Sequence, residues 1–256
     1  MRPITGLVIT LNEAQHIGDC IDSLTRVCDE VIVVDSLSQD DTAQVARSKG
    51  ARVLFQEYLG DGPQKAFGVP QAKHDWILAL DADERLDSDA VDAIMALPLD
   101  DPSVAYSFRR RNFCGPHWIR AAGFYPDEVV RLYNRTTSGY LPKKAHSSVQ
   151  APKYVRTRAH ILHFTYENFS HWMQRIDQLS TRDAWAMKMK GTQPSAMRPA
   201  RHAMSALVRK LIFKGGMFQG GDGFTVAVTT AFHAYMKYAK LNELYENETR
   251  SKGHEI

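Results

Sequence analysis

The chain has 256 residues, of which 44% are hydrophobic, and this length suits one globular domain with an appendage or two small domains. No apolar run reaches about 18 residues, which excludes a membrane-spanning helix, and the amino-terminal residues lack a cleavable signal pattern, so we expect a cytoplasmic protein. The three cysteines have no metal-ligand spacing, which argues against a zinc site and against a disulfide scaffold.

Charge is distributed unevenly along the chain, although the net charge is only +3. Residues 1–100 carry 8 basic and 18 acidic side chains, whereas residues 101–256 carry 24 basic and 11 acidic ones. An acidic half fits a phosphate site that a cation assists, and a basic half fits nucleic acid, anionic lipid or a phosphorylated glycan. Because the sequence contains no recognisable nucleic-acid-binding module, we do not expect a nucleic-acid partner.

Short apolar runs predict three strands in the first part of the chain, at residues 6–10, 31–34 and 51–55. The helix expected after the first strand has apolar residues on one face, at spacings of four and three. A second helix is expected to stop at Gly50, where a left-handed cap is common. This βαβαβ alternation predicts a parallel sheet with right-handed crossovers.

The stretch around which the chain is organised is residues 76–84. An unbroken apolar run at 76–80 predicts a central strand buried on both faces, and Asp81, Asp83 and Glu84 follow it directly. Ligands of open α/β sheets lie outside the carboxyl ends of the strands, so these carboxylates stand where a substrate would bind. Neighbouring carboxylates repel unless a cation such as Mg²⁺ compensates them. Alternatively, Asp83 or Glu84 only caps the next helix.

The second half of the chain begins with strands and continues with helices. Strands are predicted at residues 104–108 and 129–133, and the first runs into arginines at 109–111 that either bind an anionic ligand or protect a solvated sheet edge. Residues 198–214 combine an apolar stripe with basic side chains, which is typical of a helix on a membrane surface. Alternatively, the stripe packs on the preceding domain. After several glycines, a last helix is expected over residues 224–246.

Two common nucleotide-binding patterns are missing: no Gly-x-Gly-x-x-Gly follows the first strand, and no Gly-x-x-x-x-Gly-Lys-Ser/Thr occurs. Three other blocks resemble the inverting nucleotide-sugar glycosyltransferases of the family that contains cellulose and hyaluronan synthases. These blocks are residues 8–13, residues 33–36 with 40–42, and residues 80–84. Residues 123–133 and 223–241 are similar to the branch of that family that adds glucose to the heptose of the lipopolysaccharide inner core.

The resemblance implies a GT-A type α/β fold, a nucleotide-diphosphosugar transferase domain with a Rossmann-like, mostly parallel sheet and a C-terminal helical extension. We expect the catalytic domain at residues 1–165 and a basic amphipathic extension, on the acceptor and membrane side, at residues 166–256. The resemblance also implies which side chains surround the nucleotide sugar. These are Thr10, Leu11, Asn12, Glu13, Asp35, Lys65 and Asp81.

The resemblance further implies a metal ion bound at an Asp-x-Asp pair. Asp81 and Asp83 form this pair, with Asp83 as the direct ligand of Mg²⁺ or Mn²⁺. Lys65 either reaches a phosphate or is a solvated surface lysine. His163 is either a further metal ligand or a histidine packed in the core.

An inverting transferase needs a base that takes the proton from the acceptor hydroxyl. The resemblance predicts an acidic residue directly after His146, but Ser147 stands there, and serine is not a base at neutral pH. Asp127 and His146 are the remaining candidates. Asp127 is otherwise a turn residue before the next strand, and His146 is otherwise a sugar- or phosphate-binding residue.

These features predict a metal-dependent, inverting transferase that moves a hexose, glucose by resemblance, from a UDP-sugar to the inner-core heptose of lipopolysaccharide. Such a lipid-linked acceptor implies a peripheral protein on the anionic, cytoplasmic face of the bacterial inner membrane. One alternative is the same fold acting on a polyprenyl-phosphate or capsule precursor. The other is a non-catalytic nucleotide-sugar-binding partner, because Ser147 replaces the expected base.

Overall fold

The computed structural model describes residues 3–141 and 148–253 and contains two units. The first unit combines Met1–Arg111 with Pro126–Thr165, and the second combines Asn112–Tyr125 with Tyr166–Ile256. Residues 112–125 thus pack with the carboxyl-terminal helices. The domain bounds expected from the sequence differ from this division in that segment.

The described strands are, in chain order, β1 (Ile4–Thr10), β2 (Glu30–Asp35), β3 (Arg52–Phe55), β4 (Trp76–Asp81), β5 (Glu84–Leu86), β6 (Val104–Cys114), β7 (His117–Trp118), β8 (Asp127–Asn134), β9 (Gly139–Tyr140), β10 (Val149–Gln150) and β11 (Lys153–Tyr166). The main sheet has the order β3-β2-β1-β4-β8-β6-β11-β5, and β7 pairs with the end of β6. The pairs β1–β2, β1–β4 and β2–β3 are parallel, which confirms the predicted βαβ arrangement. Strand β8 is antiparallel to β4 and β6.

The helices of the first unit connect the parallel strands and flank the sheet. They are α1 (Ala14–Leu24), α2 (Thr42–Ser48), α3 (Asp61–Gly68) and α4 (Ser88–Met95). The second unit contains α5 (Phe169–Met189), α6 (Arg198–Val208) and α7 (Gly220–Gly253), with a π-helical turn at Arg209–Phe213 and a 3₁₀ turn at Gly216–Phe218. Among the described residues, each helix falls short of the length or the apolarity that crossing a bilayer requires.

The core of the first unit covers both faces of the parallel strands. Alternate residues of β1, Leu7 and Val8, belong to separate apolar clusters on opposite faces, and both are buried. Ile17 and Ile21, on the apolar face of α1, are fully buried against one of these clusters. Each such side chain contributes roughly 1.5–3 kcal/mol of transfer free energy. Burial on both faces explains why the strands are continuous apolar runs rather than alternating ones.

Two helix starts differ from those considered from the sequence. Asp87, rather than Asp83 or Glu84, caps α4, because its backbone is extended and its Oδ1 accepts the amide of Ala90 at 2.8 Å. Helix α7 begins at Gly220 rather than at Phe224. Glycine destabilises the interior of a helix, but it is tolerated in the first turn, so the helix begins at the glycines rather than after them.

A close backbone contact holds the turns before α7 in the second unit. A Cβ atom on Gly223 would lie 2.0 Å from the carbonyl oxygen of Gly216, and one on Gly216 would lie 2.8 Å from the carbonyl of Lys210. Only glycine fits at such a distance. The Gln219 side chain also accepts the amide of Ala122 at 2.6 Å, and Lys210 Nζ donates to the carbonyl of Ala122 at 2.8 Å. The π turn and the 3₁₀ turn are therefore fixed in place.

Candidate active site

The ends of β1 and β2 place two buried polar side chains next to each other. Thr10 and Asp35 are in register across the parallel pair, so their side chains lie on the same face of the sheet. Asp35 Oδ1 accepts the amide of Ser38 at 2.7 Å. Within the described residues, Asp35 Oδ2 and Thr10 Oγ1 have no hydrogen-bond partner. A buried carboxylate oxygen without a donor is costly, so this atom needs a hydrogen-bond donor from a ligand or from water.

The loops after β1 and β2 are tied to each other by hydrogen bonds. Asn12 adopts a left-handed backbone (φ 54°), and its Oδ1 accepts the amide of Gln39 at 2.8 Å. The amide of Asn12 in turn donates to Ser38 Oγ at 2.9 Å, and the amide of Glu13 donates to Thr42 Oγ1 at 2.8 Å. These contacts order the loops at the edge of the Thr10–Asp35 pair, and contact of Asn12 and Glu13 with the nucleotide sugar stays a prediction.

Two leucines on these loops expose apolar surface. Leu11 is 48% exposed and Leu37 is 49% exposed, and Leu37 has a positive φ of 66°. A left-handed leucine is uncommon and is held only where the surrounding loop requires it. Leu11 was expected at the nucleotide, whereas Leu37 was not, because a single apolar residue in a polar loop carries no sequence signal.

Asp81, the last residue of β4, is held by two buried cations. Lys65 Nζ lies 2.7 Å from its Oδ1, and Arg131 Nη2 lies 2.6 Å from its Oδ2. Burial opposes ionisation of this carboxyl, but Arg131 and then Lys65 hold the pKa of Asp81 well below its usual value. Asp81 therefore stays charged, and both of its oxygens are occupied by protein cations.

Lys65 is not a solvated surface lysine, because α3 buries its side chain beside Asp81. Burial disfavours its charged form, but Asp81 raises the pKa of Lys65 above its usual value. The ammonium group also lies 5.3 Å from the centre of the Tyr140 ring. Contact of Lys65 with a phosphate remains a prediction, and so does the assignment of Asp81 as a metal ligand.

Glu84 is fully buried and joins Asp81 to a longer chain of charges. Its carboxylate accepts the amide of Asp81 at 3.1 Å and pairs with Arg131. Arg110 lies 3.3 Å from the same carboxylate and donates to Asp127 Oδ2 through Nε at 2.9 Å. Opposite charges thus alternate from Asp81 to Asp127, as expected for charges buried in a protein.

Asp127, a candidate base, is the first residue of β8 and is in register with Arg110 of β6. Two nitrogens of Arg110 contact its Oδ2, at 2.8 and 2.9 Å, and this contact orients the carboxylate. His146 and Ser147 lie outside the described residues. The assignment of the base therefore stays a prediction.

Asp83 lies in the tight turn between β4 and β5, and strand pairing brings His163 beside it. His163 of β11 is in register with Glu84, and the amide of Phe164 donates to the carbonyl of Asp83 at 2.9 Å. His163 Nε2 lies 3.3 Å from Asp83 Oδ2. Burial opposes charge on both groups, but His163 lowers the pKa of Asp83 and Asp83 raises the pKa of His163. One cation could contact both atoms.

A second group with metal-binding side chains lies elsewhere in the first unit. Ligand atoms of Asp87, Asp89 and His160 lie within 4.8 Å of one another. Arg111 contacts two of them, since its Nη1 is 3.5 Å from Asp87 and its Nη2 is 3.2 Å from His160 Nδ1. A guanidinium in this position already compensates the acidic charge, so these residues fit a cation less well than Asp83 and His163 do.

Sequence reasoning missed the roles of Arg131 and Glu84, although both lie within the blocks that carry the resemblance. A usable signal was present, because Arg131 interrupts the apolar run of residues 129–133. An arginine within a buried strand requires a buried anion. The identity of that anion could not be read from the sequence, since Arg131 and Glu84 are far apart in the chain.

The parallel strands β3-β2-β1-β4 end in carboxylates on β2 and β4, and antiparallel strands extend the sheet beyond β4, an arrangement that fits a sugar-nucleotide transferase of the GT-A type. Residues 7–163 match the sequence pattern of glycosyl transferase family 2, and the chain belongs to this family. The protein is therefore a glycosyltransferase. Its GT-A type fold, predicted from the sequence, is confirmed.

Several full-length relatives are similar to this chain. An uncharacterized glycosyltransferase of Rickettsia bellii is 30% identical over 261 residues, covering 95% of this chain and 87% of the relative. The lipopolysaccharide core biosynthesis glycosyltransferase LpsC of Rhizobium meliloti is 29% identical over 264 residues, covering 97% and 95%. This relative confirms the predicted kinship with lipopolysaccharide-core transferases.

Among solved structures, glucosyl-3-phosphoglycerate synthase from Mycobacterium tuberculosis, in complex with Mn²⁺ and UDP, is 26% identical over 44% of each chain. The TM-score is 0.35, and a likeness this partial carries no conclusion about ligands here.

Proposed function

We propose that the protein transfers glucose from UDP-glucose, with inversion and with the help of Mg²⁺ or Mn²⁺, to the inner-core heptose of lipopolysaccharide. The observation that carries the donor assignment is the buried Asp35 Oδ2, which has no partner among the described residues and lies beside Thr10. Similarity to LpsC along nearly the whole chain supports an acceptor in the lipopolysaccharide core, and the choice of heptose rests on the sequence resemblance. With such a lipid-linked acceptor, the proposal has the protein act at the cytoplasmic face of the inner membrane.

The nucleoside of the donor fits the ends of β1 and β2. Asp35 would accept a hydrogen bond from a ribose hydroxyl or from the uracil N–H, and Thr10 offers a hydroxyl on the same face. The half-exposed side chains of Leu11 and Leu37 supply apolar surface for the flat base. This combination of a few polar atoms with apolar surface is typical of small-molecule sites.

The metal ion fits Asp83 and His163, which offer an oxygen and a nitrogen 3.3 Å apart. When bound, the ion neutralises the diphosphate that leaves the sugar. Arg131 and Glu84 fix Asp81 at the end of β4, and the backbone of Asp83 is held by β11. The turn that carries Asp83 is thus ordered before the donor binds, which lowers the cost of ordering it during the reaction.

Asp127 is the proposed base for the acceptor hydroxyl. Its carboxylate is held by Arg110 through Oδ2, which limits the orientations that the side chain can adopt. The proton of the acceptor hydroxyl passes to this carboxylate as the oxygen bonds to the anomeric carbon and the bond to the diphosphate breaks. Asp127→Asn removes the proton acceptor but keeps a side-chain oxygen that can accept a hydrogen bond from Arg110, so this variant separates the role as base from the pairing with Arg110.

The donor assignment predicts the effect of Asp35→Asn on nucleotide binding. The amide can place an N–H where the carboxylate accepted a hydrogen bond, so we expect the Kd for UDP to rise about 10- to 100-fold, corresponding to about 1.5–3 kcal/mol. Isothermal titration in the presence of Mn²⁺ measures the change. Asp41→Asn, on the exposed neighbouring loop, is the matched control and should leave the Kd unchanged. Equal affinity of Asp35→Asn and wild type would refute the nucleoside site.

A further inference from the structure

The carboxyl-terminal unit contains a long stretch with almost no acidic side chains. Residues 184–242 include nine basic residues and one acidic residue. The basic residues are Lys188, Lys190, Arg198, Arg201, Arg209, Lys210, Lys214, Lys237 and Lys240, and the acidic one is Asp222. Lys188 pairs with Glu248 and Lys240 pairs with Asp177, so the outward positive field comes mainly from the cations of α6 and the π turn, and such a field attracts an anionic partner.

Within this stretch, two phenylalanines are among the most exposed apolar side chains of the described residues. Phe213 is 79% exposed and Phe218 is 82% exposed, and Ile212 and Met217 beside them are also exposed. Single exposed apolar residues are ordinary, but neighbouring ones of this size mark an interaction site.

The turns that carry these phenylalanines are rigid. Phe213 ends the π turn and Phe218 ends the 3₁₀ turn, and the backbone contact between Gly216 and Gly223 holds the second turn against the start of α7. Gly215 between the turns adopts a left-handed backbone, with φ 67°. The exposure of Phe213 and Phe218 is thus a consequence of a defined backbone path.

Cationic and apolar side chains meet in one groove of α6 and the π turn. Arg201, Met204, Val208, Arg209, Phe213 and Lys214 line it. Arg201, Arg209 and Lys214 are exposed. Lys210 points inward instead, where its Nζ donates to the carbonyl of Ala122 and lies 5.6 Å from the centre of the Phe124 ring. The groove therefore presents three outward cations around apolar surface.

The structure changes the sequence expectation for this segment. The apolar stripe predicted over residues 198–214 is split, because Leu207 and Leu211 are partly buried within the helical unit whereas Met204 and Ile212 are exposed. The most exposed aromatic side chains, Phe213 and Phe218, follow the helix. The surface is therefore built by the turns as much as by α6.

We infer that Arg201, Met204, Arg209, Phe213, Lys214 and Phe218, named here the cationic aromatic surface, dock the protein on an anionic phospholipid bilayer. Phe213 and Phe218 enter the interface between headgroups and acyl chains, while the cations contact lipid phosphates. Phenylalanine and methionine offer no strong hydrogen bonds, so this surface suits lipid better than nucleic acid. The inference rests on the proposed function only for the lipid-linked nature of the acceptor.

Vesicle sedimentation of the full chain tests the surface. The two vesicle types are phosphatidylcholine alone and equal parts of phosphatidylcholine and phosphatidylglycerol. We expect wild type to sediment with the anionic vesicles only, and added salt to release it. The double variant Phe213→Ser/Phe218→Ser and the triple variant Arg201→Gln/Arg209→Gln/Lys214→Gln should each bind at least about tenfold more weakly.

Phe55→Ser removes an exposed aromatic side chain in the first unit and is the matched control, which should bind vesicles as wild type does. All variants should keep wild-type affinity for UDP, and circular dichroism should show their helical content intact. Wild type that stays in solution with anionic vesicles, or a double variant that sediments as wild type does, overturns the inference. Self-association that the double variant abolishes, without vesicle binding, assigns the surface to a second copy and also overturns it.

The two proposals can fail separately in this design. Vesicle binding without UDP binding would keep the membrane surface and remove the donor site. UDP binding without vesicle binding would keep the donor site and remove the membrane surface.

Discussion

Asp83→Asn is expected to lower the rate of glucose transfer about a thousandfold, which corresponds to about 4 kcal/mol in the activation barrier. The carboxylate of Asp83 and His163 Nε2, 3.3 Å away, are the two ligand atoms that the described structure brings together beside the strand end. An amide cannot replace the charge that binds the cation, so the leaving diphosphate would lose its compensation. Release of UDP from UDP-glucose in the presence of acceptor measures the rate.

The matched control for this prediction is Asp92→Asn, which removes an exposed carboxylate from α4 of the same unit. We expect it to retain wild-type activity. Excess Mn²⁺ should restore little activity to Asp83→Asn, because the ligand itself is missing. A variant at position 83 that still transfers glucose at the wild-type rate would remove Asp83 from the metal site.

Arg131→Leu is expected to cost about 3–5 kcal/mol of folding free energy, the usual result of breaking a buried ion pair from one side. Arg131 is buried and contacts Asp81 and Glu84, and Glu84 is fully buried. Without the guanidinium, Asp81 keeps Lys65 as its paired cation, and Glu84 keeps the more distant Arg110 and the amide of Asp81. Hydrogen exchange of the β4 amides measures this loss of stability at the strand itself. Unfolding of the second unit does not contribute to that signal.

Arg156→Leu provides a matched arginine control for this experiment. Arg156 also pairs with a carboxylate, Glu128 at 3.1 Å, but its side chain is almost fully solvated. Such a surface pair contributes about 0–1 kcal/mol, so β4 protection should barely change. If Arg131→Leu were no more destabilising than Arg156→Leu, the buried charge chain would not hold the strand end together.

Much of the first unit could be predicted from the sequence because its central parallel strands β1, β2 and β4 are buried on both faces. Continuous apolar runs, such as residues 76–80, identify such strands without any knowledge of their partners. The carboxylates after β4 could be placed for the same reason, since a strand end in this fold class is also the edge of a ligand site. Both features depend on a few adjacent residues, so they can be recognised from the sequence alone.

The partners of those carboxylates could not be predicted, because they arrive through strand pairing between distant segments. Arg131 reaches Asp81 and Glu84 from β8, and His163 reaches Asp83 from β11. The antiparallel register that sets these contacts depends on the whole sheet rather than on a motif. His163 was recognised only as one of two interpretations, and the sequence offered no means to decide between them.

The exposed phenylalanines of the second unit illustrate another limit. Apolar periodicity predicts which residues share a helix face, and it predicted a single apolar stripe over residues 198–214. The π turn at Arg209–Phe213 changes the angular relation between α6 and the residues that follow. The exposure of Phe213 and Phe218 therefore depends on these turns, and helical periodicity could not predict it.

Titration of the wild-type protein with UDP-glucose, with Mn²⁺ and again after chelation of the metal, is the most direct test of the proposed donor site. We expect saturable binding with Mn²⁺ and a much weaker affinity without it, because Asp83 and His163 would act on the diphosphate only through the ion. No binding of UDP or UDP-glucose under any metal condition would contradict the donor site at Thr10, Asp35 and Asp83, and with it the proposed transfer of glucose.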